Sequence, residues 1–179
     1  SIKIIPSKLV GLLKFERLKD IPGSKTLFIA IGWATVTSLF PIVGIRKELS
    51  VSAFVAFLFM AVLVFIRTAI FDTWNIQGDQ IVGKETIPTV LGEKKTLQLL
   101  NILEVSIGTL IIIATIGKWI PHFGYLLIIP VAYLYMCQKL YEKRSIYPSI
   151  RAERMVERTF IITGLLSFVG VYMSQAGSG

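Results

Sequence analysis

Acidic and amide side chains gather at the end of a long apolar run in Phe71-Asp72-Thr73-Trp74-Asn75-Ile76-Gln77-Gly78-Asp79, and the polar stretch continues through Gly83-Lys84-Glu85-Thr86-Ile87-Pro88. Carboxylates are costly near hydrocarbon, so a cluster of them at a membrane boundary points to a functional site. Asp72, Asn75 and Asp79 stand at i, i+3 and i+7. On a continuous helix that spacing puts all three on one face, within roughly 60°. Oxygen ligands converging on one face suit a hard cation such as Mg²⁺, which keeps several waters and bridges to phosphate.

The elements that must position these residues are apolar helices. The chain has 179 residues, 54% of them hydrophobic and only 17% charged, with a mean hydropathy of +0.70. Soluble domains carry about 25% charged residues, so the composition is that of an integral membrane protein. Five apolar segments, near 26–45, 51–71, 97–117, 119–141 and 156–175, are long enough to cross about 30 Å of hydrocarbon. Strand-like alternation bounded by hairpin turns is absent from the sequence, which argues against a barrel. The expected fold is all-α: a helical bundle of about five transmembrane helices forming a single membrane domain over 1–179. Residues 1–25, where lysines interleave with Ile4, Ile5, Leu9, Val10 and Phe15, read as a basic interfacial segment. The acidic motif opens a loop over 72–96, broken by Gly78 and Gly83 and fixed by Pro88. Pro130 predicts a kink in the fourth span.

A net charge of +8 invites a nucleic-acid reading, but its distribution answers differently. Sixteen of the 19 Lys and Arg fall in the N-terminal segment, the acidic loop and the connection around 139–158. Only Arg46, Lys47 and Lys118 lie on the other side. That is the positive-inside pattern, and it places the N-terminus and the acidic loop in the cytoplasm. The basic balance therefore reports topology, and no nucleic-acid partner is expected.

Other polar residues have plainer readings. Cys137 is the single cysteine, so no intrachain disulfide can form, and packing is its expected role. Glu104, in the third span, would cost about 2.5–3.5 kcal/mol at mid-bilayer. It is expected to face the bundle interior and make an interhelical hydrogen bond. His122, beside Lys118 and Trp119 at the outer interface, is remote from the acidic loop and is not expected to ligate. Arg151, Arg154 and Arg158 follow the positive-inside rule, interleaved with Glu153 and Glu157.

A membrane-embedded site with Mg²⁺ ligands suits a substrate that needs both a lipid-facing channel and a cation, as a polyprenyl diphosphate does. Charge neutralisation of the diphosphate lets the allylic C–O bond ionise, and an apolar channel keeps water from the resulting cation. The run Arg67, Asp72-x-x-Asn75-Ile76-x-Gly78-Asp79, Gly83-Lys84-x-Thr86-Ile87-Pro88 and Leu91-Gly92 resembles the second aspartate-rich motif of the UbiA superfamily of intramembrane prenyltransferases. That motif reads approximately D-x-x-D-x-x-x-D, then G-K-x-T-x-P and L-G. Two spans before it and three after resemble helices five to nine of the nine-helix fold. The resemblance implies a UbiA-like partial fold, the C-terminal half of an enzyme whose N-terminal half is missing. It also implies that Asp72 and Asp79 are catalytic and that Asp72, Asn75 and Asp79 hold Mg²⁺. Lys19, Arg67 and Lys84 would then bind the diphosphate, Lys19 through Phe15-x-x-x-Lys19, which is similar to a Tyr-x-x-x-Lys element of the family. Asn75 departs from the family's usual Asp, and the first motif, N-x-x-x-D-x-x-x-D, has no separate copy.

The expected function is Mg²⁺-dependent transfer of a prenyl group from a polyprenyl diphosphate donor to a lipophilic, aromatic acceptor within the lipid bilayer. Two alternatives compete. A small ion-coupled transporter or channel subunit would spread its acids through the membrane depth, whereas these cluster at one rim. A non-catalytic membrane partner subunit would account for the absent first motif.

Overall fold

The computed structural model describes residues 23–41, 50–143 and 147–176, with side chains to Met173. The basic segment 1–22, including Lys19, lies outside the described residues. The described chain is helical throughout: α1 (Ser24–Ala34, running into a π-helical turn over Thr35–Leu39), α2 (Val51–Trp74), α3 (Ile76–Val82), α4 (Ile87–Leu91), α5 (Glu93–Ile116), a 3₁₀ stretch (His122–Leu127), α6 (Ile128–Glu142) and α7 (Ile150–Ala176). Among these, four are long and apolar enough to cross a membrane: α2, α5, the 3₁₀ stretch with α6, and α7. The result is an all-α, membrane-spanning bundle.

The helix ends follow local chemistry. Ser50, in extended conformation, caps α2 by accepting from the Ala53 amide at 3.3 Å. The 24 residues of α2 that follow contain no Gly or Pro. The short α4 starts with a capping box in which Thr86 and Thr89 satisfy each other's amides, and Pro88 lies in its first turn. Pro130 likewise falls in the first turn of α6, where its missing N–H removes no helical bond. The kink predicted there is replaced by a change from 3₁₀ to α geometry.

Many hydroxyls within the spans return their hydrogen bonds locally, although that of buried Thr159 has no partner. Thr68, Thr73, Thr109, Thr115 and Thr163 each donate to the carbonyl four residues back, at 2.7–2.8 Å. In hydrocarbon, where water cannot serve as a partner, this lets a threonine sit in a helix without an orphaned group.

α2 is the central element, packed by α1 on one side and α5 on the other, with α6 and α7 following round. Leu63 and Ile66 of α2, Leu100 and Ile111 of α5 and Leu134 of α6 are buried together in the core. Large apolar side chains such as Phe54, Ile102, Ile161, Phe168 and Tyr172 point outward, as a lipid-facing surface requires.

Cross-helix contacts fix which ends lie together. Thr26 at the start of α1 meets Asp72 at the end of α2. Gln138 near the end of α6 donates to the Leu97 carbonyl and Asn101 side chain near the start of α5, both at 3.0 Å. Arg67 of α2 pairs with Glu157 of α7. One end of the bundle therefore collects the acidic motif and most of the described Lys and Arg.

Candidate functional site

The acidic motif is built at the junction of α2 and α3. The sequence reading put the three residues on one helical face at the head of a loop over 72–96 broken at Gly78 and Gly83; the structure instead carries helix through Gly78 and again over Ile87–Leu91 and from Glu93, and places the interruption at Asn75, with φ −99° and ψ 11°. The backbone ladder survives the bend, since Asn75 N–H donates to the Phe71 carbonyl at 3.1 Å and Asp79 N–H to the Asn75 carbonyl at 2.9 Å. The amide side chain takes part: Asn75 Nδ2 donates to the Phe71 carbonyl at 3.0 Å. Its carbonyl oxygen, the atom of an amide that can ligate a cation, takes no part in that bond.

Asp72 and Asp79 are each held. Thr26 Oγ1 donates to Asp72 Oδ2 at 2.9 Å. Asp79 is buried, and its Oδ1 lies 3.4 Å from Lys84 Nζ. The loop geometry makes that pairing possible. Gly83 adopts the left-handed conformation, φ 70°, that ends α3, and Lys84 N–H then turns back to the Asp79 carbonyl at 2.9 Å. Asp79, Lys25 and Lys84 are all electrostatic neighbours of Asp72. The site thus holds two carboxylates near enough to interact electrostatically, with two lysines around them.

Gly23 closes the third side. It begins α1 at φ 77°, and a Cβ there would overlap the side chain of Ile87 at the start of α4. The close approach of α1 to α4 is therefore open to glycine alone. The ends of α2 and α3 and the beginnings of α1 and α4 converge on the acidic pair.

Beside this end lies a cavity of about 900 Å³ between α1, α2 and α7, bounded on its far side by the 3₁₀ stretch. Trp33, Phe59, Met60 and Phe160 line it, and Ser38, Thr163 and Ser167 add hydroxyls. The π-helical turn of α1 contributes Thr37 and Ser38. Arg67 and Glu157 line it as an ion pair at 2.7 Å, with the guanidinium 4.4 Å from the Phe71 ring centroid. Arg67 precedes Asp72 by five residues on α2, about 7.5 Å along the axis.

A family model describing the UbiA prenyltransferase family matches residues 9–156. The chain belongs to the UbiA prenyltransferase family. No curated protein and no solved structure matches it. The match covers the acidic motif and α1 to α6 but only the first turns of α7, short of that helix's cavity-lining residues, and it supports an intramembrane prenyltransferase in general.

The structure sorts the sequence-selected residues of this UbiA chain into three groups. Asp72, Asn75, Asp79 and Lys84 come together at the α2–α3 end. Arg67 is engaged by Glu157 at the cavity wall instead. Lys19 lies outside the described residues. Thr26 and Glu157 were missed as partners. Nothing in the local sequence marks a threonine inside an apolar span, and Glu157 reads as one acid in an alternating charge pattern.

Glu104 corrects another expectation. It is buried, at 2% exposure, but neither carboxylate oxygen has a hydrogen-bond partner. The interhelical bond goes to its neighbour one turn away, Asn101, through Gln138. Among the described residues no three His, Cys, Asp or Glu side chains gather as a metal cluster, so the donor set is two carboxylates and an amide.

Proposed function

We propose that this chain carries one diphosphate-binding arm of a Mg²⁺-dependent intramembrane prenyltransferase, which moves a prenyl group from a polyprenyl diphosphate to a lipophilic, aromatic acceptor. The observation that carries this reading is the convergence of Asp72 and Asp79 with Thr26 and Lys84 at the end of α2, beside the α1–α2–α7 cavity.

The donor set fits Mg²⁺. That ion is bound through one or two carboxylates plus substrate phosphates and keeps several waters. Asp72 Oδ1 is free of the Thr26 bond, and the Asn75 amide uses its nitrogen, not its oxygen, in its bond to the Phe71 carbonyl. Mg²⁺, when bound, would neutralise charge on the departing diphosphate. Asp72 and Asp79 are the catalytic pair in this reading because they hold the metal-bound leaving group. Lys84 exchanges Asp79 for a phosphate oxygen, a move its flexible stem permits. Lys19 and Arg67 add positive charge, Arg67 by releasing Glu157. The cavity takes the apolar part of a substrate and keeps water from the allylic cation.

In this reading the basic end of the bundle faces the cytoplasm. The remaining oxygen ligands come from an N-x-x-x-D-x-x-x-D motif on a further segment, of which these 179 residues contain no separate copy.

The test is Mg²⁺-dependent release of diphosphate from geranylgeranyl diphosphate by the full-length protein in lipid nanodiscs. Asp79→Ala is expected to lower the rate by about 10²–10³, the usual cost of one lost charge-stabilising group. Unchanged turnover in Asp79→Ala would overturn the site assignment. Release that never depends on Mg²⁺ would overturn the metal assignment.

A further inference from the structure

Thr26 stands in the first turn of α1, where no carbonyl of the helix lies four residues back, so its hydroxyl turns outward from its own helix. Thr68, Thr73, Thr115 and Thr163, inside the spans, each donate to the carbonyl four residues back. Thr26 reaches across to another helix, 46 residues away in sequence, and is itself only 3% exposed. Its place is set from outside. Gly23, one turn earlier, seats α1 against Ile87, and Leu27 N–H donates to the Gly23 carbonyl at 2.9 Å, so the first turn of α1 is fixed on α4.

A carboxylate at a helix end has two free torsions and two equivalent oxygens. A single donor bound to Oδ2 removes that freedom and leaves Oδ1 as the oxygen presented to a ligand. The second acid, Asp79, is held by a lysine on a flexible stem, at the longer distance of 3.4 Å. One arm of the acidic pair is therefore rigid and the other adjustable.

We propose that Thr26 is a positioning residue for the site. It touches neither metal nor substrate but orients Asp72, with the Gly23–Ile87 contact holding it in register. The inference rests on the reading of Asp72 as a ligand. Asp72 reoriented by Thr26 binds a hard cation through Oδ1; without that donor the carboxylate rotates, and part of the ligand's affinity goes into fixing it again.

The test is binding of Mn²⁺, the spectroscopically visible substitute for Mg²⁺, to the full-length protein in nanodiscs in the presence of inorganic pyrophosphate, followed by electron paramagnetic resonance. Thr26→Val keeps the shape and removes the donor. It is expected to weaken binding about tenfold, equivalent to about 1.4 kcal/mol, in line with a hydrogen bond to a charged group. Thr26→Ser restores the donor and should bind within about twofold of the native protein, a rescue that a packing role would not give. If Thr26→Val proves unstable by thermal melting, Thr26→Ala against Thr26→Ser gives the same contrast. Native-like binding in Thr26→Val or Thr26→Ala, alongside lost binding in Asp72→Ala, would overturn the positioning role and leave the site standing. Native-like binding in Asp72→Ala would overturn both.

Discussion

Two regions of this bundle place carboxylates where carboxylates are expensive, and they treat them in opposite ways. At the end of α2, Asp72 and Asp79 each have a partner, Thr26 and Lys84, and each keeps an oxygen to spare. In the middle of α5, Glu104 is more deeply buried and neither of its oxygens has a partner. Depth of burial thus fails to single out the site. What distinguishes the α2–α3 end is that side chains from α1, α2, α3 and the loop after α3 meet there, so each acid has a partner from a separate segment. Glu104 is one polar group in a stripe that otherwise reads Leu97, Leu100, Ile107 and Ile111.

Paired substitutions separate the two regions. The largest difference is expected in turnover: Asp79→Ala loses about 10²–10³ in diphosphate release, while Glu104→Met leaves the rate near native. Loss of turnover in Glu104→Met, with folding intact, would erase the distinction between the regions. Next in size is Gly23→Ala, which forces an L-residue into a left-handed conformation and a methyl into Ile87. It should destabilise by about 2–4 kcal/mol in a melting experiment. Combining it with Ile87→Ala should recover part of the loss, since the overlap is with that side chain; an additive result would mean the backbone conformation alone sets the cost.

Glu104→Met should act in the opposite sense, raising stability by about 1–3 kcal/mol, because an unpartnered carboxyl gives way to an apolar side chain of similar size. A fall in melting temperature would show that the carboxyl has a partner it uses. Smallest is Arg67→Ala, whose ion pair with Glu157 is partly exposed (32% and 51%). It should change stability by less than about 1 kcal/mol, so that any larger effect on diphosphate release reports a contact with substrate.

Much of this was legible in the chain. Apolar runs reported the long helices because a segment crossing hydrocarbon must be apolar along its whole length. The first span was the least complete match: it appears as α1 and a π-helical turn, within the described residues up to 41. Asp72, Asn75, Asp79 and Lys84 were legible as a cluster because they are close in sequence, and a helix end with a glycine turn brings such residues together by itself. Asn75 as the point where the helix bends was not legible, since i, i+3, i+7 spacing is equally consistent with an unbroken helix.

What the sequence determined alone is the class of molecule and the neighbourhood of its chemistry. Apolar length demands membrane helices, and the short-range motif gathers the acids. Only the tertiary structure decided which side chain holds which acid. Thr26 and Asp72 are 46 residues apart, and Arg67 and Glu157 are 90 apart. Those partners depend on how α1 and α7 rotate against α2, and that rotation is set by close packing along whole helices, with Gly23 against Ile87 as one of its fixed points. The same packing left Glu104 inside with no partner, an outcome that its identity and position in the sequence did not foretell.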